Sequence, residues 1–306
     1  MIYPMRNLLA NAAKHKYAVG YFEAFNMDSM LAVLDAAEQQ NSPIIIGFGG
    51  QFIGSKKREV KENIYHYGVL ASEAAKRSSV PCAVILNEAD EIDMVYQGMQ
   101  AGFNAVMYQK PYEDFKDTVC ITKELCKVAH LLNIDVESEI GELPCADISS
   151  DTQSKGKMTD VDQAEFFVNE TGIDALAISI GNVHLLEGKT STLDFELLDK
   201  LKNRISIPLV LHGGTGVSPY DMKMAISHGI SKINIGTVLK REYINAIENY
   251  YAKNDLKNLD PHNIIGRGGN EDMISVGRGA ISKKVVELID MFGSTNKADL
   301  FNKISN

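Results

Sequence analysis

Two histidines carry the sharpest chemistry in this sequence. His184 follows an apolar run at 174–180, and His212 closes another at 207–211. Neutral imidazole is a good ligand for zinc and similar divalent ions, so two histidines at the ends of adjacent strands could meet at one ion. The plainer reading is a pair of hydrogen-bonded structural side chains. His212 is followed at once by Gly213, Gly214, Thr215 and Gly216. Glycines let backbone N–H groups approach a phosphate closely, and Thr215 adds a hydroxyl. Read by themselves, these glycines could equally make only a tight turn ahead of Pro219. Asn234 and Thr237 flank the end of the next apolar run, where they could close a phosphate cradle. Other runs also end on polar side chains: Asn26, Asn87, Glu88, Gln109, Glu139 and Asn182.

The elements that must position these groups are legible as alternating patterns. Short apolar runs stand at 17–23, 43–48, 81–86, 104–108, 134–139, 174–180, 207–211 and 231–235. Most are β-branched and continuous, the pattern of strands buried on both faces. Helical spacing occurs at 27–40, 91–101, 115–132, 161–171, 194–202, 219–227 and 239–251, with a final helix near 280–292. Strand followed by helix, repeated, reads as a parallel sheet, and eight strands favour a closed (β/α)8 TIM barrel. An open doubly wound sheet is the alternative, weakened because no GxGxxG follows the first strand. Barrel chemistry gathers where strands end and the following loops begin, so the polar set converges on one face. One domain over 1–306 is expected. The stretch 141–157 reads as an active-face loop, and 254–275 as irregular.

Composition narrows the partners. A net charge of −9 makes the chain a poor match for nucleic acid or an anionic membrane. A phosphorylated ligand must then be met by local donors. No apolar run reaches the roughly 18 residues of a membrane span, and the start lacks the apolar core and cleavage site of a signal peptide. A cytoplasmic protein is expected. None of the four cysteines, Cys82, Cys120, Cys126 and Cys145, forms a CxxC pair, which suits reduced thiols.

These motifs together resemble a family. LVLHGGTG at 209–216, GNVH at 181–184 and KINIGT at 232–237 resemble the class II fructose-bisphosphate and tagatose-bisphosphate aldolases. The opening AVGYFEAFNMDSM resembles the family's AVGAFNVNN-type start. AGFNAVMY, VESEIGE and VVELIDMFGSTNKA resemble its strand-four, strand-five and C-terminal regions. The resemblance implies a homodimeric or homotetrameric lyase that uses zinc, or another divalent metal, on a sugar phosphate. In that family the metal acts as a Lewis acid on the enediolate of dihydroxyacetone phosphate. His184 and His212 match two of the family's three zinc-binding histidines. Gly213, Thr215, Asn234 and Thr237 match phosphate-binding positions, and Asn234 also the asparagine that approaches the enediolate. Arg278 matches an arginine that grips the far phosphate, often across a subunit boundary. Glu139 matches the acid near an alternate metal position.

The departures bear on chemistry. Where the family has His-Leu-Asp-His-Gly, this chain reads Ile85-Leu86-Asn87-Glu88-Ala89. Glu88 replaces the third zinc histidine, giving a metal set of His184, His212 and Glu88. Asn87 replaces the aspartate that shuttles a proton at the aldehyde-side hydroxyl, and an amide can orient that hydroxyl but not accept its proton. Leu185, Gln109 and Val238 replace a glycine and two acidic residues. The expected function is a metal-dependent aldolase acting on a ketose phosphate through a dihydroxyacetone-phosphate-like enediolate, with a non-standard proton shuttle drawn from Glu88, Asp90 or Glu139. The alternatives are a sugar-phosphate-binding protein without lyase activity, and a metal-dependent isomerase or epimerase sharing the enediolate step.

Overall fold

Each expected apolar run forms a strand in the computed structural model, which describes residues 1–110, 113–141, 156–183 and 191–302. The strands are β1 Val19–Ala24, β2 Ile44–Gly49, β3 Cys82–Ala89, β4 Ala105–Tyr108, β5 Asp135–Ile140, β6 Ala175–Ile178, β7 Leu209–Leu211 and β8 Ile230–Ile235. Every neighbouring pair is parallel, and β8 pairs back onto β1, with Tyr21 opposite Asn234. The sheet is therefore a closed barrel in sequence order, and the open-sheet alternative falls.

Most helices also lie where the periodicity puts them, among them Met27–Gln39, Ile92–Ala101, Phe115–Leu131, Val161–Thr171, Phe195–Arg204, Pro219–Ser227 and Thr237–Lys253. Their starts have local causes. Ser218 accepts the Asp221 N–H ahead of Pro219, pairing an N-cap with a proline already set at a helical φ. Asn26 closes a reciprocal cap with Ser29. The helix expected near 280–292 runs Met273–Met291, so it begins earlier than the sequence suggested. Asp272 starts it by accepting the Ile274 and Ser275 N–H groups, while its second oxygen takes Gly266 and Gly268.

Two long helices were not anticipated, nor were the one-turn helices Gly50–Ile53, Pro261–Ile264 and Asp299–Asn302. Ile64–Arg77 lies between β2 and β3 and buries Ile64, Gly68, Ala71, Ser72 and Ala75. That face is built mostly from small residues. Met5–His15 precedes β1 and packs Met5, Leu8, Leu9 and Ala12 against the barrel's interior residues, including Tyr21, Ile45, Ile85, Met107 and Val210. It closes the end of the barrel opposite the active face. Its Arg6 holds the buried carboxylate of Asp135, at the foot of β5, through both backbone N–H and guanidinium.

Cys82, Cys120 and Cys126 are free thiols, while Cys145 and most of the stretch 141–157 lie outside the described residues. Among the described residues no helix is long and apolar enough to cross a membrane.

Gly47 and Gly279 give contrasting tests of packing. A Cβ on Gly47 would stand on the Ile85 carbonyl oxygen, whereas one on Gly279 meets nothing. Gly47→Ala is expected to destabilise by about 1–3 kcal/mol through overpacking. Gly279→Ala, on an exposed helical position, should gain about 0.5–1 kcal/mol. Urea-denaturation midpoints of the two variants check both signs.

Candidate active site

The end of β3 is irregular. Its pairing with β4 shifts register between Leu86 and Ala89, and Glu88 adopts a left-handed φ of 49°. In a regular strand successive side chains point to opposite faces. The irregularity lets Asn87 and Glu88, adjacent in sequence, both line the cavity at the barrel mouth. A non-glycine residue held there costs on the order of 1–3 kcal/mol, which the surrounding contacts must support.

On β5 the alternation places Asp135, Glu137 and Glu139 on one face. Those carboxylates organise the centre. His212, at the end of β7, is fully buried. Its Nε2 lies 2.9 Å from Glu137 Oε1, and its Nδ1 lies 3.2 Å from Glu88 Oε1 and 3.6 Å from Glu139 Oε2. Glu137 also receives Lys232, whose Nζ is 2.9 Å from Oε1 and 2.8 Å from Oε2. The same ammonium donates to Asn234 Oδ1 at 2.8 Å. Because an ammonium can only donate, Asn234 must present its oxygen to Lys232. Its Nδ2 is then left without a hydrogen-bond partner among the described residues, on a side chain that lines the cavity. Gln51 donates to Glu88, and Gln109 donates to Glu139 at 2.8 Å. Glu139 Oε1 has no partner among the described residues.

Burial and charge compete here. Desolvation pulls His212 down, but its hydrogen bonds to Glu137 and Glu88 and the nearby Glu139 charge hold it at about 9. Burial pushes Glu139 up to about 7; His212 and Gln109 offset part of this, and the charge of Glu88 adds to it. Glu137 is more buried still, yet Lys232 and His212 hold it below the usual carboxylate range.

His184 and Leu185 lie outside the described residues, and among those described no three His, Cys, Asp or Glu side chains already stand as a metal-binding set. The donors present nevertheless fit a divalent ion. An imidazole nitrogen from β7 and carboxylates from β3 and β5 converge, one buried carboxylate oxygen is unclaimed, and three glutamates face one lysine and one histidine. Nitrogen and oxygen donors of this kind suit zinc and its neighbours.

Beside this cluster a glycine-rich turn lies against the start of a helix. Gly213 takes a positive φ of 66°, and Gly214–Gly216 form a tight helical turn. A Cβ on Gly214 would collide with Ile233 and Ile235, so glycine lets the β7 turn lie against β8. The helix Thr237–Lys253 starts after Gly236 without a side-chain cap. The Val238 N–H is taken by Thr215 Oγ1, and the Leu239 and Lys240 N–H groups by the Gly236 carbonyl, so the start of the helix offers an anion the positive end of its dipole. Thr215 Oγ1 lies 3.4 Å from the Val238 nitrogen, joining the two halves.

One cavity of about 760 Å³ is lined by Asn87, Glu88, Glu139, Gly213, Thr215, Asn234 and Thr237. His212 stands behind Glu88 and Glu139 rather than in the wall. Asn182 is structural: its amide bonds the His212 and Ile178 carbonyls and the Ile180 N–H. Arg278 is not brought to the cavity of its own chain. It sits on the helix Met273–Met291, bonded twice to Asp35 at 2.7 and 2.8 Å. Reading strand ends passed over Glu137, Lys232, Tyr21 and Glu23. Glu137 and Lys232 stand two residues before Glu139 and Asn234, and the strand alternation carried that signal.

Known proteins resemble this chain over nearly its whole length. A family model described as fructose-bisphosphate aldolase class-II matches residues 3–297. The chain is 33% identical over 298 residues to a fructose-bisphosphate aldolase of Geobacillus stearothermophilus, covering 96% of this chain and 98% of that one. It is 31% identical to YdjI of Escherichia coli (strain K12), over 94% of this chain and 96% of YdjI. The crystal structure of the YdjI aldolase superposes with a TM-score of 0.80, covering 97% of this chain and all of that one at 30% identity. A structure described as a putative aldolase from Coccidioides immitis shares the fold at TM-score 0.81 and 23% identity, covering 97% of this chain and 98% of that one.

The cluster's protonation sets a pH dependence. Glu139 and His212 both hold protons to higher pH in the folded chain than their ordinary values of 4.5 and 6.5. Their contribution is full below about pH 4.5 and is lost as pH rises through about 7 and then about 9. Chelator-treated protein should therefore lose stability over that window, and Glu139→Gln should abolish the part below pH 7. Urea midpoints that rise across the window would contradict the assignment.

Proposed function

The chain belongs to the class II fructose-bisphosphate aldolase family, and on that premise we propose that it is an aldehyde-lyase cleaving a ketose phosphate. One observation carries the reading. The His212–Glu88–Glu139 cluster, the Asn234 amide and the Gly213–Thr215–Thr237 cradle meet at a single cavity.

In this reading the phosphate end of the substrate lies in the cradle, against the first turn of the helix Thr237–Lys253. Asn234, fixed by Lys232, donates its Nδ2–H to the oxygen that gains negative charge as the dihydroxyacetone-phosphate-like fragment forms its enediolate. Preorganised donors of this kind stabilise charge where it develops. His212 and Glu88, together with His184, are the residues that would hold a divalent ion, zinc or another, with Glu139 beside them. Such an ion, when bound, supplies Lewis acidity toward the substrate oxygens. Glu88 in place of an imidazole lowers the net positive charge of the centre and with it that acidity. Asn87 can orient the hydroxyl of the aldehyde side but cannot take its proton. The Arg278 role at a second anionic group requires a homodimer or homotetramer, since within one chain its guanidinium is held by Asp35.

The same Asn87 supports a second reading, a metal-dependent isomerase or epimerase. That chemistry needs the enediolate step but no acceptor at the aldehyde side. A binding protein without turnover is the third.

One experiment separates them. Protein loaded with zinc, manganese or cobalt is given dihydroxyacetone phosphate, and exchange of its C1 proton is followed. A panel of ketose phosphates is then tested for triose release. Exchange together with release is expected. Exchange without release selects the isomerase, and binding with neither selects the third reading. In a companion variant, Glu88→Ala should lower the metal content of dialysed protein by at least about tenfold. Unchanged metal content would remove Glu88 from the ligand set.

A further inference from the structure

With Asn87 unable to accept a proton, the carboxylates of the cavity wall have to be considered in turn. Glu88 is engaged by Gln51 and His212; Glu139 is engaged through Oε2 by Gln109 and His212, and its unclaimed Oε1 belongs to the donor set that fits a divalent ion. Glu113 receives Tyr108 and Thr118. Asp160 caps the helix Val161–Thr171 through the Gln163 N–H. Asp90 is half-buried, past the end of β3.

Glu23 is placed differently. It lies near the end of β1 and lines the same cavity. Its Oε1 is held by the ammonium of Lys240, in the first turn of the helix Thr237–Lys253. Lys240 is itself fixed over the Phe52 ring, 4.1 Å from its centre, a favourable cation–π position. Glu23 Oε2 lies over two glycines at neighbouring strand ends. A Cβ on Gly236 would stand 3.2 Å from it, and one on Gly49 3.6 Å. Gly49 pairs in register with Asn87, so the Glu23 carboxylate and the Asn87 amide flank one glycine. The side chain retains 12% exposure, enough to meet a ligand. The charged and titratable groups bearing on it are Lys240, Glu88 and Tyr21. Burial raises its proton affinity against the pull of Lys240.

The letters of the motifs tell the same story. Against the AVGAFNVNN-type start that the opening resembles, Glu23 stands at the first asparagine. Against His-Leu-Asp-His-Gly, Asn87 stands at the aspartate. In letters, this chain has a carboxylate where the one motif has an amide, and an amide where the other has a carboxylate.

Resting on the lyase reading above, we propose that Glu23 is the catalytic base for the hydroxyl on the carbon that becomes the aldehyde. Glu23 Oε2 takes the hydroxyl proton. The electron pair of that O–H bond becomes the second bond of the carbonyl, and the pair of the breaking C–C bond passes to the ketose side as the enediolate. In condensation the Glu23 acid returns the proton to the aldehyde oxygen. Between cleavage turnovers Glu23 gives its proton to water, and the enediolate takes one proton at carbon from solvent to leave as the ketone. Lys240 holds the carboxylate in place and exchanges no proton.

The test uses two reactions of the metal-loaded protein. Release of triose from a ketose phosphate needs this base, whereas C1-proton exchange of dihydroxyacetone phosphate does not. Glu23→Gln should lower kcat for cleavage by about 10²–10⁴-fold, leave KM within about threefold, and leave exchange within about twofold. The double variant Glu23→Asn/Asn87→Asp should regain at least about tenfold over Glu23→Asn, because it returns a carboxylate to β3. Wild-type cleavage by Glu23→Gln would overturn the proposal. So would exchange lost in proportion to cleavage, the mark of a structural role, or a double variant no better than the single one. If the wild type itself neither exchanges nor cleaves, the lyase reading fails and this assignment with it. An active wild type with an indifferent Glu23→Gln removes Glu23 alone.

Discussion

The carboxylate of Glu137 has no access to water, and the site is arranged around keeping it ionised. An ammonium from β8 and an imidazole from β7 do so together. Such a buried pair is a poor source of net stability, because the cost of desolvating both charges offsets their attraction. Removing one partner is nonetheless expensive, about 3–5 kcal/mol, since the other is left buried and uncompensated. What the arrangement secures is orientation. With Nε2 committed to Glu137, His212 turns Nδ1 toward Glu88 and Glu139. With Lys232 committed to Asn234 Oδ1, the amide keeps its donor for the cavity. A residue that touches no substrate thus sets the aim of two strands.

The inward column of β5 extends this logic along the barrel. Asp135 is answered by Arg6 from the N-terminal helix, Glu137 by Lys232 and His212, and Glu139 by Gln109 and His212. His212 is shared by the upper two acids, and each acid also has a partner of its own: Arg6, Lys232 or Gln109. The cavity wall follows the same pattern. Glu88, itself left-handed at an irregular strand end, is clasped by Gln51, and Glu23 is clasped by Lys240.

Much of the fold was legible because buried strands leave an unmistakable apolar run and most helices an apolar stripe. The helix Ile64–Arg77 was not, because its buried face is made largely of glycine, alanine and serine, which carry little hydrophobic contrast. The N-terminal helix has a readable spacing of Met5, Leu8, Leu9 and Ala12. Nothing in that spacing says it will turn beneath a barrel. At the site, the strand ends gave the cavity wall, including Asn87, Glu88, Glu139 and Asn234, but not the layer beneath it. Lys232 and Glu137 required following the alternation one step inward. The pairing of Arg278 with Asp35 joins residues 243 apart in sequence, and side-chain choices of that kind are made only in three dimensions.

The helix Met5–His15 stoppers the lower end of the barrel, and this gives the barrel a traffic rule. In a cleaving enzyme of this shape, both fragments must depart through the upper mouth. The interior beneath the cluster is itself filled by Tyr21, Ile45, Ile85, Met107 and Val210, so the barrel is a cup with one opening, and whatever enters its cavity leaves by the way it came.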